Sequence, residues 1–159
     1  MQEIEYKFLV NKDKWLLVEK PSPQIITQGF ITKTKEKTVR VRIKNKQAFL
    51  TIKGPTKGIT RTEFEYEIPL KDAESLLNDF TEKQICKKRY EIKIDHHTWE
   101  VDVFEGHLDG LIIAELEVKS ETELFALPKW VSNNVSLDVR YYNSVLIDLS
   151  DEDVKKLIQ

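Results

Sequence analysis

The sequence predicts an α+β protein of eight or nine short strands with a few helices, and three observations carry that prediction. The first is the opening stretch, Gln2-Glu3-Ile4-Glu5-Tyr6-Lys7-Phe8-Leu9, in which Glu3, Glu5 and Lys7 alternate with Ile4, Tyr6 and Phe8. Side chains of a strand point to opposite faces in turn, so this segment has one charged and one apolar face. The second is recurrence, because the same alternation returns over 38–44, 61–68, 87–94 and 111–119. The third is the helical content: the best helix lies over 71–83, where Ala73, Leu76, Leu77 and Phe80 recur at helical spacing.

Composition bounds the function. A chain of 159 residues is expected to form a single domain, 1–159, with a sizeable core. Charged residues make up 33% of it, yet 25 basic and 27 acidic side chains nearly cancel, leaving −2. No basic field exists to recruit nucleic acid. No apolar run reaches membrane-spanning length, and no signal-peptide pattern opens the chain, so a cytoplasmic location is expected. The single cysteine, Cys86, excludes an internal disulfide and any multi-cysteine metal site.

The elements follow in order. After the opening strand, 11–20 suits a short helix with Asn11 as N-cap and Pro21 and Pro23 as stops. A strand is expected over 24–32. Over 38–44, Val39, Val41 and Ile43 oppose Arg40, Arg42 and Lys44, and a tight turn at Asn45-Lys46 leads to a partner strand over 47–53. Gly54-Pro55-Thr56-Lys57-Gly58 reads as a flexible hairpin end, since it lacks P-loop spacing. Arg61, Glu63, Glu65 and Glu67 then share one strand face.

Beyond the 71–83 helix, Lys87, Arg89, Glu91 and Lys93 alternate with Lys88, Tyr90, Ile92 and Ile94. Asp95-His96-His97 is a turn whose histidines are expected to be solvated rather than to bind metal. Glu100 and Asp102 share a face of the next strand, and Glu115-Leu116-Glu117-Val118-Lys119 repeats the opening Glu-x-Glu-x-Lys pattern. A short helical segment is expected over 122–131, a last strand or strand end over 138–141, and a closing helix capped by Ser150 with Asp153.

An open sheet could show these charges to water; a closed barrel would turn them inward, which is costly unless they pair or hold a ligand. Acid pairs recur as Glu3/Glu5, Glu63/Glu65 and Glu115/Glu117, and basic pairs as Arg40/Arg42 and Lys87/Arg89. Arginine pairs suit phosphate oxygens by bidentate bonding, and carboxylate pairs suit Mg²⁺ or Mn²⁺. Two carboxylates at i and i+2 stand about 7 Å apart on a strand, close enough to share a cation. The composite is a site for a metal-bound polyanion.

The opening Glu3-Ile4-Glu5-Tyr6-Lys7-Phe8-Leu9-Val10 resembles the signature of the triphosphate tunnel metalloenzyme (CYTH) superfamily. Further similar segments follow in family order: Gln28-Gly29-Phe30, Arg40-Val41-Arg42, Thr51-Ile52-Lys53, Arg61-Thr62-Glu63-Phe64-Glu65, Lys87-Lys88-Arg89-Tyr90, Asp102-Val103-Phe104, Glu115-Leu116-Glu117-Val118 and the closing Asp138-Val139-Arg140-Tyr141-Tyr142-Asn143. The resemblance implies an eight-stranded antiparallel β-barrel, the triphosphate tunnel, with helices packed outside. It implies metal ligation by Glu3, Glu5, Glu115 and Glu117, with Glu63 and Asp102 as additions, and Mg²⁺ or Mn²⁺ as cofactor. It implies triphosphate binding by Lys7, Arg40, Arg42, Lys53, Arg61, Lys87, Arg89 and Arg140. Lys7 and Lys87 are candidates for proton handling, and Glu63 is a further acid that could orient water. Phe30 stands where some relatives carry tyrosine, which removes a hydroxyl there.

The implied activity is metal-dependent hydrolysis of inorganic tripolyphosphate by a monomer or homodimer. Nucleoside or thiamine triphosphate hydrolysis and class IV adenylate cyclase chemistry are alternatives within the family. The chain starts directly at the Glu-x-Glu strand, without the His-Phe element of many cyclase relatives, which ranks cyclisation last. A non-catalytic polyphosphate- or nucleotide-binding module is the alternative outside enzymes, and the full carboxylate set weighs against it.

Overall fold

The computed structural model of the chain describes residues 1–158. Nine strands form: β1 (Gln2–Val10), β2 (Gln24–Lys33), β3 (Thr38–Lys44), β4 (Gln47–Lys53), β5 (Thr60–Ile68), β6 (Ile85–Ile94), β7 (His97–Phe104), β8 (Ile112–Glu117) and β9 (Val131–Asn134). They join in the order β5-β4-β3-β2-β6-β7-β8-β1-β9, all antiparallel. β1 also pairs with β5, through Gln2↔Thr62, Glu3↔Arg61 and Ile4↔Thr60, and this seam closes an eight-stranded barrel. Only the first half of β1 serves the seam, because its second half, at Phe8 and Val10, pairs with β9. Two tight hairpins place Asn45 and Asp95 at φ 55 and 54, a left-handed conformation that their short side chains tolerate.

Strand alternation builds apolar cores outside the barrel and a charged bore inside it. Helix α2 (Leu70–Phe80) lays Ala73 and Leu77 on Val41 and Ala48, on the outer face of β3 and β4. Phe80, expected on the same stripe, is exposed, because the helix ends there and the chain turns at Thr81. Helix α1 (Lys12–Leu16) is capped by Asn11, whose side chain accepts from the Lys14 N–H at 3.0 Å. It buries Trp15 against Tyr90 and Trp130, over an outer core containing Phe8, Trp99 and Leu116.

A third core fills one end of the bore. Along each wall strand, alternate residues grade from charge to hydrocarbon: Glu3, Glu5, Lys7, Leu9 on β1; Arg89, Lys87, Ile85 on β6; Glu100, Asp102, Phe104 on β7; Glu117, Glu115, Ile113 on β8. Leu9, Ile85, Phe104 and Ile113 pack with Tyr141, Leu146, Ile147 and Val154 from the C-terminal elements α3 (Asn143–Leu146) and α4 (Asp151–Ile158) and the turn before them. The bore is thus a cup with a hydrophobic floor.

Two expectations fail in the last third of the chain. Residues 122–131 form no helix: Phe125 packs on Tyr6, Phe8 and Trp99, Pro128 lacks the N–H a helix needs, and Val131 begins β9. The expected strand at 138–141 is a 3₁₀ turn, Val139–Tyr141, because the Asp138 side chain accepts from the Arg140 N–H and caps it. Among the described residues no helix is long and apolar enough to cross a membrane.

Candidate functional site

The charged half of the bore encloses about 230 Å³. Eight basic and seven acidic side chains line it, with Phe30, Tyr142, Thr38, Asn143 and Ser144 between them. The walls alone are therefore close to electroneutral, and their charges pair in two different ways.

On the arc from β6 through β1, every cation is held by carboxylates. Lys7 Nζ donates to Glu5 Oε1 at 2.7 Å and to Glu115 Oε1 at 2.5 Å. The Arg89 guanidinium spans Asp102 Oδ1 and Oδ2 at 2.7 and 2.8 Å, reaches Glu115 Oε2 at 2.7 Å, and also bonds Glu100. Lys87 Nζ donates to Asp102 Oδ2 at 2.6 Å and to Asn143 Oδ1 at 3.1 Å. Burial alone would raise the Glu115 and Asp102 pKa values, but Lys7 and Arg89 hold Glu115 well below the usual range, and Arg89 with Lys87 holds Asp102 low. Burial pushes Lys87 down to about 8, helped by Arg89 and opposed by Asp102.

The arc of β3, β4 and β5 is looser. Arg40 and Arg42 reach Glu65 Oε2 only at 3.5 and 3.3 Å, while Thr51 Oγ1 donates to the same oxygen at 2.7 Å. The Nε atoms of both arginines are buried without a partner. Burial, and then the charge of Arg42, pushes Arg40 down to about 10. Two crowded guanidinium groups with spare donors are what an incoming oxyanion would satisfy.

At the seam, Lys53 donates to both oxygens of Glu3 at 2.9 and 3.0 Å, and Arg61 Nε reaches Glu3 Oε2 at 2.8 Å. Burial opposes its ionisation, yet Lys53 and Arg61 draw the Glu3 pKa down to about 2. Glu63 is pushed up by burial and by Glu3 beside it, against the pull of Lys53. Its Oε2 pairs with Lys53 Nζ at 3.0 Å, so Lys53 is shared between Glu3 and Glu63. Glu117 is exposed at the mouth, and burial and the charges of Glu3, Glu5, Glu63 and Glu100 all raise its pKa. A carboxylate repelled by four others, with no cation paired to it, fits a divalent cation.

Comparison with known proteins is decisive on family: residues 1–142 match the CYTH domain. The chain belongs to the CYTH family. It is 42% identical over 147 residues to an inorganic triphosphatase of Acetivibrio thermocellus, covering 92% of this chain and 93% of that protein. It is 33% identical over 154 residues to an inorganic triphosphatase of Nitrosomonas europaea, covering 92% and 97%. The crystal structure of an inorganic triphosphatase, 30% identical, superposes with a TM-score of 0.64 over 93% of this chain and 95% of that one.

Within this CYTH barrel, twelve of the fourteen residues singled out from the sequence line one cavity: Glu3, Glu5, Lys7, Arg40, Arg42, Lys53, Arg61, Glu63, Lys87, Arg89, Glu115 and Glu117. Asp102 does not line it. It is fully buried behind Lys87 and Arg89, which occupy both its oxygens, so it is a counter-ion rather than an open metal ligand. Arg140 does not line it either, because Asp138 holds its exposed guanidinium on the 3₁₀ turn. Glu65, Glu100 and Lys44 join the cavity, and each lies two residues from a residue already singled out on the same strand. Tyr142 and Asn143, the end of the closing motif, and Ser144 after them reach the cavity from the C-terminal segment; strand alternation gave them no role in the site. Tyr142 also adds a second aromatic to the wall, where the sequence offered only Phe30.

Proposed function

We propose that this CYTH protein hydrolyses inorganic tripolyphosphate with Mg²⁺ or Mn²⁺ as cofactor. The observation that carries the reading is a small cup whose eight cations and seven carboxylates nearly cancel. A bare polyanion of charge about −5 gains little from neutral walls, whereas its complex with divalent cations is itself near neutral and matches both sets of side chains. The cavity lies below the ~300–1,000 Å³ usual for pockets that enclose drug-sized ligands, which favours a compact substrate without a base.

Arg40 and Arg42 would grip the inner phosphates with bidentate forks, joined by Lys53 and Arg61 as Glu3 turns from them. Lys7, Lys87 and Arg89 would face the phosphates from the opposite wall. Glu5 and Glu117, with Glu3 and Glu115, would hold the divalent cation, which when bound supplies Lewis-acid stabilisation of charge on the phosphoryl oxygens. The residues present fit it: Glu117 has no cationic partner to give up, and Glu5 gives one oxygen to Lys7 and keeps the other. Glu3 is released as Lys53 and Arg61 turn to phosphate, and Glu115 remains the most tightly paired of the four. Glu63, with its pKa raised by burial, is suited to take a proton from the attacking water once Lys53 turns to phosphate.

The test is phosphate release from tripolyphosphate, ATP and thiamine triphosphate, each with Mg²⁺ and with Mn²⁺. Tripolyphosphate should be cleaved with kcat/KM at least about tenfold above ATP, about 1.4 kcal/mol of transition-state preference. Glu5→Gln and Glu117→Gln should each remove activity while leaving the fold intact. Cyclic AMP as the main product from ATP would overturn the reading, and so would tripolyphosphate binding without turnover under either metal.

A further inference from the structure

We propose a second metal site, for a borderline transition-metal ion such as Zn²⁺, on the outside of the barrel at His96, His97 and Glu123. These residues each offer a ligand atom, and the atoms lie within 4.8 Å of one another. Among the described residues they are the only trio of histidine, cysteine and acidic side chains so gathered. Neighbouring residues on a strand point apart, but Asp95 at φ 54 turns the chain so that the two imidazoles lie side by side, with ring centres 4.1 Å apart. His97 is buried, its ring against Phe125, and its Nε2 lies 2.8 Å from Glu123 Oε1. The other carboxylate oxygen, Oε2, accepts from the Lys119 N–H at 2.6 Å, the kind of outer bond that orients a metal ligand.

Two imidazole nitrogens and one carboxylate oxygen form a set suited to Zn²⁺ rather than Mg²⁺. Tetrahedral bonds of ~2.05 Å separate ligand atoms by about 3.3 Å, so the pair at 2.8 Å must open by only about half an ångström. His96 is exposed, which leaves a way in for the ion and a fourth position for water. The ion would tie the β6–β7 hairpin to the irregular stretch between β8 and β9, thirteen residues that cover the outer aromatic core through Phe125 and Trp130. A covering stretch that long without regular structure is uncommon in a compact domain, and a metal staple would fix it in place.

The experiment uses the full chain without a histidine tag, with Mg²⁺ in excess to occupy hard-oxygen sites, and titrates Zn²⁺ by calorimetry. Thermal melts with and without Zn²⁺ run in parallel, and Co²⁺ spectra report geometry. One equivalent should bind, the Tm should rise, and Co²⁺ should give an intense tetrahedral visible band. His96→Ala changes an exposed side chain, so it should fold normally, keep its triphosphatase activity and weaken Zn²⁺ binding at least tenfold. Glu123→Gln should weaken it as well. Equal Zn²⁺ affinity and equal Tm shift in the wild-type chain and His96→Ala would overturn the site, and so would no binding at all.

Discussion

The two arcs of the bore are built from the same residue types and differ in how tightly those residues are engaged. Between β6 and β1, Lys7, Lys87 and Arg89 are locked to Glu5, Asp102 and Glu115 by bonds of 2.5–2.8 Å, almost all beyond reach of water. On β3 and β5, Arg40 and Arg42 share one half-exposed glutamate at 3.3–3.5 Å and keep unpartnered Nε atoms. The first arrangement is a framework, since a buried charge stripped of its partner is far costlier than a surface one. The second is a receptor, holding binding capacity in reserve. A site that must admit a highly charged ligand and still fold without it needs both.

Breaking the framework should have the largest effect. Asp102→Ala leaves Lys87 and Arg89 facing each other in a buried site, and should cost about 3–5 kcal/mol in urea unfolding. Glu65→Gln, on the receptor arc, should change stability by no more than about 1 kcal/mol. Equal losses in the two variants would erase the distinction between the arcs.

Next in size is the receptor's own function. Arg42→Ala should raise KM for tripolyphosphate ten- to a hundredfold, since charge-assisted hydrogen bonds contribute roughly 1.5–3 kcal/mol each. Arg42→Lys should recover only part of this, because lysine lacks the fork. An unchanged KM would place Arg42 outside the binding machinery.

The framework also carries a pH signature. With its pKa at about 8, Lys87 loses its proton as pH rises through that value, so kcat/KM should decline above pH 8. In Lys87→Arg the guanidinium stays charged and the decline should vanish; a decline that persists belongs to the substrate or to another group. The smallest effect concerns Glu117. Its pKa is raised in the fold, so its stabilising contribution is present below the ordinary carboxylate pKa and is lost as pH rises through the raised value. Glu117→Gln should therefore raise the metal-free Tm by about 1–3 °C at pH 7, and the gain should disappear near pH 4 as the wild-type glutamate protonates. A lowered Tm at pH 7 would mean that Glu117 is paired rather than repelled.

Alternation by itself determined the wall. Period-two patterning declared which side chains share a face, and a one-residue slip would have turned every charge outward, so the residues from Glu3 to Glu117 were legible before any coordinates. Turn chemistry at Asn45 and the cap at Asn11 were readable for the same reason, because the cause of each lies within a few residues. Asp102 and Arg140 were not readable. Both carry the right charge in the right motif, but only the packed barrel shows that one is sealed behind two cations and the other is tied down on a 3₁₀ turn. The floor of the cup, Asn143 beside Lys87, and the meeting of His97 with Glu123 likewise join residues 26 or more apart in the chain. Local pattern encodes which face a side chain takes; which distant partner meets it there is decided by the closure of the barrel and the path of the chain across it.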